Sequence, residues 1–155
     1  GAGMIFGTTG GVTEAALRRV ADNTPFAMKD IEYSGIRGFD GVKSAYVTLG
    51  DTALRIAVVS GLGNADKLIE KIKSGEDHFD FVEVMACPGG CVAGAGQPHA
   101  YVENKKKRAA GLYTTDKSAL VKRSNDNPVV MHMYETGVLK DRAHELFHVH
   151  YKTEK

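Results

Sequence analysis

Chemistry is most strongly indicated by the two cysteines of the chain, Cys87 and Cys91, which are separated by three residues. At this spacing two thiolates can reach one metal centre from a single loop, and thiolates are ligands of zinc and of iron–sulfur clusters. The intervening residues include Gly89 and Gly90, where the absence of a Cβ lets backbone approach whatever the thiols hold. Alternatively, two cysteines in a globular chain of this size are often just small apolar side chains buried in a core. The glycines favour metal binding, and nothing in the sequence indicates the oxidising compartment that a disulfide requires.

The segments before the cysteines predict how they are positioned. Residues 53–60 form the most strand-like run, and residues 79–86 predict a second strand. Between them, residues 65–73 carry apolar side chains on one helical face and follow Asn64, a residue suited to capping a helix. A strand–helix–strand unit pairs its strands in parallel with a right-handed crossover. The cysteine loop is therefore expected at the carboxyl end of the sheet, beside residues 61–63, where ligands bind in open α/β sheets.

A second glycine-rich stretch, residues 7–11, lies near the amino terminus. The apolar residues 4–6 before it predict a short strand, and residues 12–22 after it predict a helix. Such a loop can hold an anion at a helix N-terminus, but the sequence has neither a phosphate-loop motif nor a dinucleotide-binding motif, so nucleotide binding is disfavoured. A tight turn that packs the helix on the sheet is the alternative interpretation.

The remaining segments complete the predicted fold. Residues 29–37 predict an extended piece, and residues 42–49 predict a strand that pairs antiparallel with the strand at 53–60. After Pro98 the chain predicts four short helices, at residues 105–113, 117–123, 128–135 and 142–151. We expect an α/β fold in residues 1–100, with a mixed, mainly parallel sheet and flanking helices. Residues 101–155 are expected to form a helical carboxy-terminal tail that wraps around the rest.

A long pattern surrounds the cysteines. Residues 83–91 read Glu-Val-Met-Ala-Cys-Pro-Gly-Gly-Cys, and residues 94–98 read Gly-Ala-Gly-Gln-Pro. This pattern resembles the third H-cluster motif of the iron-only (FeFe) hydrogenases. The resemblance extends to residues 1–18 and to residues 144–151, and so covers essentially the whole chain. It implies the carboxy-terminal portion of the large-subunit catalytic domain, which holds the H-cluster.

The resemblance implies a specific cofactor, the H-cluster, in which a 4Fe-4S cubane is joined to a diiron subcluster. Cys87 would ligate the cubane, and Cys91 would bridge the cubane to the diiron unit. Only half of the ligands are in this chain, because a 4Fe-4S cluster needs four thiolates and the two earlier cysteine motifs of the family do not occur here. Met85 would pack its polarisable thioether against the diiron unit. Three residues in or next to the amino-terminal glycine-rich loop would lie close to the diiron unit. One would form a wall and two would approach through their backbone: Phe6, Gly7 and Thr8.

The activity implied by the resemblance is the reversible reduction of protons to H2, for which the amino-terminal half of the hydrogenase is needed. No catalytic residue is assigned within this chain. The partners implied are that amino-terminal remainder and either ferredoxin or an NAD(P)-linked electron-transfer module. An alternative function is a non-catalytic, hydrogenase-like iron–sulfur binding or assembly protein. A third interpretation is a cofactor-free interaction domain, which the glycine-rich loops disfavour.

Histidines offer a second candidate metal site. His144 and His148 have the i, i+4 spacing of one helical face, with His150 close by in the sequence, and simple packing is the favoured alternative. His99 could join the two cysteines in a zinc site, although that set contains only three ligands.

Composition and charge restrict the class of protein. A chain of 155 residues, 43% of them hydrophobic, can form one compact domain with a core. The net charge of +1 gives no global field that would attract nucleic acid or an anionic membrane. The basic run at residues 105–108 predicts a solvated face, or else a contact with an acidic electron-transfer partner. No apolar stretch is long enough to span a bilayer and no leader opens the sequence, so a soluble, cytoplasmic protein is expected, with the periplasm as the alternative.

Overall fold

The computed structural model describes residues 1–21, 35–38, 40–49, 51–99 and 101–149. The strands within these ranges are β1 (Val42–Leu49), β2 (Thr52–Ser60) and β3 (Phe81–Met85). The α-helices are α1 (Gly11–Val20), α2 (Leu62–Ser74), α3 (Val102–Ser118), α4 (Pro128–Glu135) and α5 (Ala143–Phe147). Shorter 3-10 turns occupy Ala2–Gly7, Cys91–Ala93 and Ser124–Asp126.

The three strands form one mixed sheet in the order β1-β2-β3. β1 and β2 pair antiparallel, with Leu49 opposite Thr52, and β2 and β3 pair in parallel, with Ser60 opposite Met85. Both pairings are those that the sequence predicts, and α2 provides the crossover between the parallel strands. The mixed α/β fold with flanking helices is therefore confirmed, and one of the two described pairings is parallel.

β2 is buried on both of its faces, which explains why its sequence reads as a continuous apolar run. The face toward α1 holds one core cluster: Leu17, Ala21, Ile36, Val47, Ile56 and Val58. The face toward α2 holds a second cluster: Ala57, Val59, Ala65 and Leu68. The two helices thus cover opposite sides of the sheet. The cysteine loop follows the last residue of β3, Met85.

The strand predicted at residues 4–6 is wrong, because the structure forms a 3-10 turn at Ala2–Gly7 instead. Ala2 and Ile5 are buried, whereas Met4 and Phe6 are 47% and 49% exposed. Residues three apart share one side of a 3-10 turn, so the i, i+3 pair can bury against α1 and α3 while its neighbours face outward. A run of three apolar residues contains too little pattern to distinguish this arrangement from a strand.

Two helix predictions also need correction. α2 begins at Leu62 with Gly61 as its N-cap, and the Asn64 side-chain amide donates to Ser60 O at 2.8 Å instead of capping the helix. α3 is continuous over Val102–Ser118, where two separate pieces at 105–113 and 117–123 were predicted. Turn-forming residues within 111–118 made the sequence look interrupted there, although isolated residues of this kind are tolerated in a helix interior.

Some predictions fall outside the described residues. They concern the helix end at Asp22 to Pro25, the extended piece at 29–34, Gly50 in the turn between β1 and β2, and the last predicted helical residues, His150 and Tyr151. Across the described part of the chain, none of the helices combines the length and the apolar character needed to cross a membrane.

Candidate metal centre

The cysteine loop begins where β3 ends, at Met85, and it lies beside the end of β2. The backbone N–H of Gly61 donates to Met85 O at 2.8 Å, so the junction of β2 and α2 adjoins the loop, as predicted. Cys87 is half-buried and Cys91 is exposed, and both thiols are free. A hydrogen bond from Gly90 N–H to Cys87 O, 2.9 Å long, closes the turn between the two cysteines.

The amino-terminal glycine-rich loop packs directly on the cysteine loop. The backbone N–H of Thr9 donates to Gly89 O at 3.2 Å. Gly90 has a φ of +89°, and a Cβ at this position would lie 2.7 Å from Thr9 N and 2.8 Å from Gly7 O. Backbone atoms of Thr8 are equally close, at 2.9 Å. Only glycine fits both this conformation and this space, and it brings Gly7 and Thr8 against the cysteine loop.

Glycines lie beside both cysteines. Cys91 lines a cavity of about 470 Å³ together with Gly7 and Arg108. Beside the other thiol, a Cβ on Gly94 would lie 3.4 Å from Cys87 Sγ. A side chain at Gly94 would fill the space next to the Cys87 sulfur, and one at Gly7 would collide with Leu112 in the wall of the Cys91 cavity.

The other two residues predicted to line the site are placed differently. Met85 is half-buried at the end of β3, two residues before Cys87. Phe6 lines a separate groove of about 540 Å³ with Val12 and Val121. The structure therefore brings Gly7 together with Cys91 in one cavity, whereas the Phe6 side chain borders another.

Sequence reasoning missed Glu83 on β3, which binds the amino-terminal glycine-rich loop and the start of α1. Its side chain is buried on β3, and its Oε1 accepts a hydrogen bond from the Gly10 backbone N–H at 2.7 Å. Its Oε2 accepts from both the backbone N–H and the hydroxyl of Thr13, each at 2.7 Å. The carboxylate thus caps the N-terminus of α1, where negative charge is favourable. An acidic residue inside a strand predicted to be buried was the available signal, because a buried charge requires partners.

Lys43 on β1 is a buried cation whose pKa responds to the charge of this carboxylate. Burial lowers the pKa of Lys43 to about 8, although the charges of Glu83 and Asp40 oppose the decrease. The ammonium group donates to Gly38 O at 2.8 Å. Lys43 thus binds the backbone at Gly38, while Glu83 joins β3 to the start of α1.

A second polar cluster holds the opposite side of the glycine-rich loop. The Thr8 hydroxyl donates to Ile5 O at 2.9 Å and lies 3.1 Å from the Tyr113 hydroxyl of α3. The guanidinium of Arg37 lies 4.2 Å from the centre of the Tyr113 ring and pairs with Glu14 at 2.7 Å. Burial raises the pKa of Tyr113, so its hydroxyl stays protonated and available for hydrogen bonding.

The same cluster continues into a buried ion pair between α1 and α3. Arg18 donates from Nη1 and Nη2 to the two carboxylate oxygens of Asp116, at 2.8 and 2.7 Å, and also pairs with Glu14. Burial alone would raise the pKa of Asp116, but the hydrogen bond and the charge of Arg18 hold it below its ordinary value. The charges of Arg18 and Asp116 thus compensate each other, and the pair holds α3 against α1.

The histidine candidates form no comparable site. His144 lies on the exposed, five-residue α5 and His148 directly follows that helix, with the two ring centroids 4.1 Å apart. Glu145 gives the segment the order His-Glu-x-x-His. Among the residues that the structure describes, no group of three His, Cys, Asp or Glu side chains is arranged to hold a metal ion. His99 consequently does not complete a zinc site with the cysteines, and His150 lies outside the described ranges.

The donor set and its surroundings fit an iron–sulfur cluster held from one side. Two thiolates could supply two of the four bonds that a 4Fe-4S cluster needs, and Cys91 borders a cavity of about 470 Å³. Backbone N–H groups near the sulfur atoms tune the properties of such a group. A structural zinc ion needs four ligands, which the described part of this chain does not bring together.

Comparisons with known proteins agree on one family. Residues 1–95 match the model of the iron-only hydrogenase large subunit, C-terminal domain, and residues 102–154 match that of the iron hydrogenase small subunit. The chain is 46% identical to the NADP-reducing hydrogenase subunit HndD of Solidesulfovibrio fructosivorans, over 97% of this chain and 27% of that protein. It is 42% identical to iron hydrogenase 1 of Clostridium pasteurianum, over 98% of this chain and 28% of that protein.

Solved structures and more distant relatives extend the comparison. A variant of the [FeFe]-hydrogenase HydA1 from Chlamydomonas reinhardtii superposes with a TM-score of 0.71 and 39% identity, over 94% of this chain and 45% of that one. Cytosolic iron-sulfur assembly component 3 of Rattus norvegicus is 30% identical over 94% of this chain and 31% of that protein. The chain spans little more than a quarter of the length of the first two relatives. With a family model matched over more than half of its residues, the chain belongs to the iron-only hydrogenase family.

Proposed function

We propose that this chain supplies one side of an H-cluster site in an iron-only hydrogenase, which is completed by the amino-terminal region of the enzyme. The observation that carries the proposal is the contact between the two glycine-rich loops around two free thiols. Gly90 can be replaced by no larger residue without a clash with the loop at Gly7 to Thr9, and Gly94 leaves space beside Cys87 Sγ. A pair of cysteines that served only to pack would not require this cradle.

Cys87 and Cys91 are the residues that would hold the cluster. Bound there, the H-cluster would supply the metal chemistry for the reversible reduction of protons to H2, with electrons delivered to it by an electron-transfer partner. The residues of the chain position this group. β3 leads directly into the cysteine loop, and Glu83 holds α1 and the glycine-rich loop against β3. Met85 places a polarisable thioether two residues before the first ligand. We assign no catalytic proton carrier to this chain.

The remaining ligands and the electron supply are assigned to other segments. Two further thiolates must come from outside this chain, because its two cysteines are its only ones. An NAD(P)-linked electron-transfer module or a ferredoxin fits the family, and the similarity to HndD, an NADP-reducing hydrogenase subunit, supports the first. A cytoplasmic location is part of the same proposal.

A second candidate function is a non-catalytic iron–sulfur binding or assembly protein. It is supported by the 30% identity to cytosolic iron-sulfur assembly component 3. The higher identity to hydrogenases, 46% and 42%, favours the first candidate. The presence of Met85 at the end of β3 points the same way, since a thioether there has a role beside a diiron unit and none beside a cubane alone.

The function is tested in a chimera in which this chain replaces the matching 27% of HndD, loaded under anaerobic conditions with iron and sulfide for the cubane and with a preformed diiron complex for the subcluster. We expect H2 evolution from reduced methyl viologen, loss of bound iron and of activity on Cys87→Ser, and loss of activity on Cys91→Ser. His99→Ala is the matched control, since His99 is exposed near the loop, and it should retain both iron and activity. Stable cluster binding without any H2 evolution would favour the assembly function. Retention of iron in both cysteine variants would contradict the proposal.

A further inference from the structure

Arg108 on α3 reaches across to the cysteine loop with both arms of its guanidinium group. Nη1 donates to Val92 O at 3.1 Å, and Nη2 donates to Pro98 O at 2.8 Å. Val92 is the residue directly after Cys91, and it is buried within the 3-10 turn Cys91–Ala93. One side chain therefore ties down both ends of the segment that follows the second cysteine.

We propose that Arg108 is a positioning residue for the metal centre, through which the carboxy-terminal helical segment fixes the loop that carries Cys91. For its consequence at the metal, this inference rests on the proposed function. The tie at Val92 and Pro98 itself concerns only residues of this chain.

The tethered segment needs an external restraint. Between Val92 and Pro98 the chain contains Gly94 and Gly96, whose backbones have a larger choice of conformations than other residues. Within the segment, the backbone hydrogen bonds are short-range: Gly94 N–H donates to Cys91 O and Gln97 N–H donates to Gly94 O. Arg108 adds the link that connects this segment to a regular helix.

Arginine is the side chain suited to this link. Its planar guanidinium presents several N–H donors in a fixed fork, so two carbonyl groups can be held at once with little additional loss of conformational entropy. Lysine carries the same charge on a flexible stem, but its three N–H donors share one nitrogen, so it does not reproduce the fixed spacing of the two guanidinium nitrogens. Arg108 also lines the same cavity as Cys91, which places a permanent positive charge on the boundary of the proposed cluster site.

The tie crosses the division between the two matched family models. Cys91 lies in residues 1–95, which match the large-subunit model, and Arg108 lies in residues 102–154, which match the small-subunit model. The helical segment therefore does more than wrap around the α/β lobe. It contributes a residue that sets the geometry of the metal loop.

The test uses hydrogen–deuterium exchange on the metal-free chain, comparing wild type with R108K and R108Q. Both variants should exchange the amides of residues 92–97 about tenfold faster or more, since a hydrogen bond from a charged donor is typically worth at least that factor. Lys107→Gln is the matched control, because it removes one positive charge from an exposed neighbouring position of the same helix. It should leave exchange in residues 92–97 unchanged.

The amides of β2 report whether the fold itself is intact, and they should exchange at the wild-type rate in all variants. Should R108Q unfold the chain, R108K carries the test alone. If residues 92–97 exchanged at the wild-type rate in R108K, the guanidinium fork would not be holding the loop. If Lys107→Gln accelerated exchange equally, position 108 would have no special role. Either result would overturn the inference.

A second readout addresses the metal. In the iron-loaded chimera, R108Q should lower the reduction potential of the cluster relative to Lys107→Gln, because it removes positive charge from the edge of the site. Equal potentials in the two variants would overturn the role of Arg108 at the metal. The exchange experiment uses the metal-free chain, so its result does not depend on iron. A chimera that binds no cluster would contradict the proposed function. The exchange result would still decide the role of Arg108 in the loop.

Discussion

Replacement of Asp116 by Ala should lower the free energy of unfolding by about 3 to 5 kcal/mol, the usual cost of removing one partner from a buried ion pair. The side chains of Asp116 and Arg18 are 5% and 7% exposed, and two hydrogen bonds of 2.8 and 2.7 Å join them. Without the carboxylate, the guanidinium stays buried and only Glu14 remains to compensate its charge. The loss also removes the strongest polar contact between α1 and α3.

Urea denaturation followed by circular dichroism measures this change, read from the transition midpoint at an unaltered slope. Asp126→Ala is the matched control, because Asp126 also forms a paired hydrogen bond to an arginine, Arg123, but at the protein surface. Its midpoint should stay close to that of the wild type, since exposed ion pairs contribute little. A destabilisation by Asp116→Ala that is no greater than that by Asp126→Ala would show that the buried pair is not holding the two helices together.

Glu83→Gln is expected to have the second largest effect, a loss of about 3 kcal/mol, because charge-assisted hydrogen bonds to buried donors are each worth about 1.5 to 3 kcal/mol. The carboxylate accepts from two N–H groups and one hydroxyl, all at 2.7 Å. The glutamine amide has one accepting oxygen, and its NH2 group would face a donor of Gly10 or Thr13. The negative charge at the N-terminus of α1 is lost as well.

Glu70→Gln provides the corresponding control, because Glu70 is exposed on α2 and undergoes the same chemical change. Both variants are compared with the wild type by the same denaturant titration, and only Glu83→Gln should shift the midpoint. Glu83→Gln should also accelerate hydrogen exchange at the Gly10 and Thr13 amides, which lose their acceptor. If those amides stayed fully protected, the carboxylate would not be the group that caps α1.

The parts of the fold that follow from local pattern could be predicted from the sequence. β2 reads as a continuous apolar run because both of its faces are buried, and α2 shows apolar residues on one face because only that face packs on the sheet. The parallel pairing of β2 with β3 follows from the helix between them. The position of the cysteine loop at the end of β3 follows in turn, because a strand ends where proline and glycine interrupt it.

The parts that depend on distant partners could not be predicted. Glu83 caps a helix 70 residues earlier in the chain, and Arg18 pairs with Asp116 across 98 residues. No local pattern in a single sequence indicates such pairs, although a charged residue in an apolar strand or on a core-facing helical position shows that a partner must exist. Arg108 was likewise interpreted as part of a solvated basic run, because the carbonyl groups that it binds carry no signal in the sequence.

The expected division at residue 100 between an α/β lobe and a helical wrapping segment remains a prediction. The two family models also meet between residues 95 and 102. The contacts described here run across that position: Arg18 with Asp116, Thr8 with Tyr113, and Arg108 with the cysteine loop. The segment after residue 101 is thus joined to α1, to the amino-terminal glycine-rich loop and to the cysteine loop.

The most direct test of the account is the quantification of iron and sulfide, with electron paramagnetic resonance, in this chain alone and after addition of the amino-terminal region of HndD, both under anaerobic conditions. We predict little stable iron in the chain alone, since its two cysteines are half of the thiolates that a 4Fe-4S cluster needs. After completion, we predict bound iron and sulfide and a cluster signal that disappears with Cys87→Ser. Stoichiometric zinc, or no metal in the completed protein, would contradict the assignment of Cys87 and Cys91 to an H-cluster.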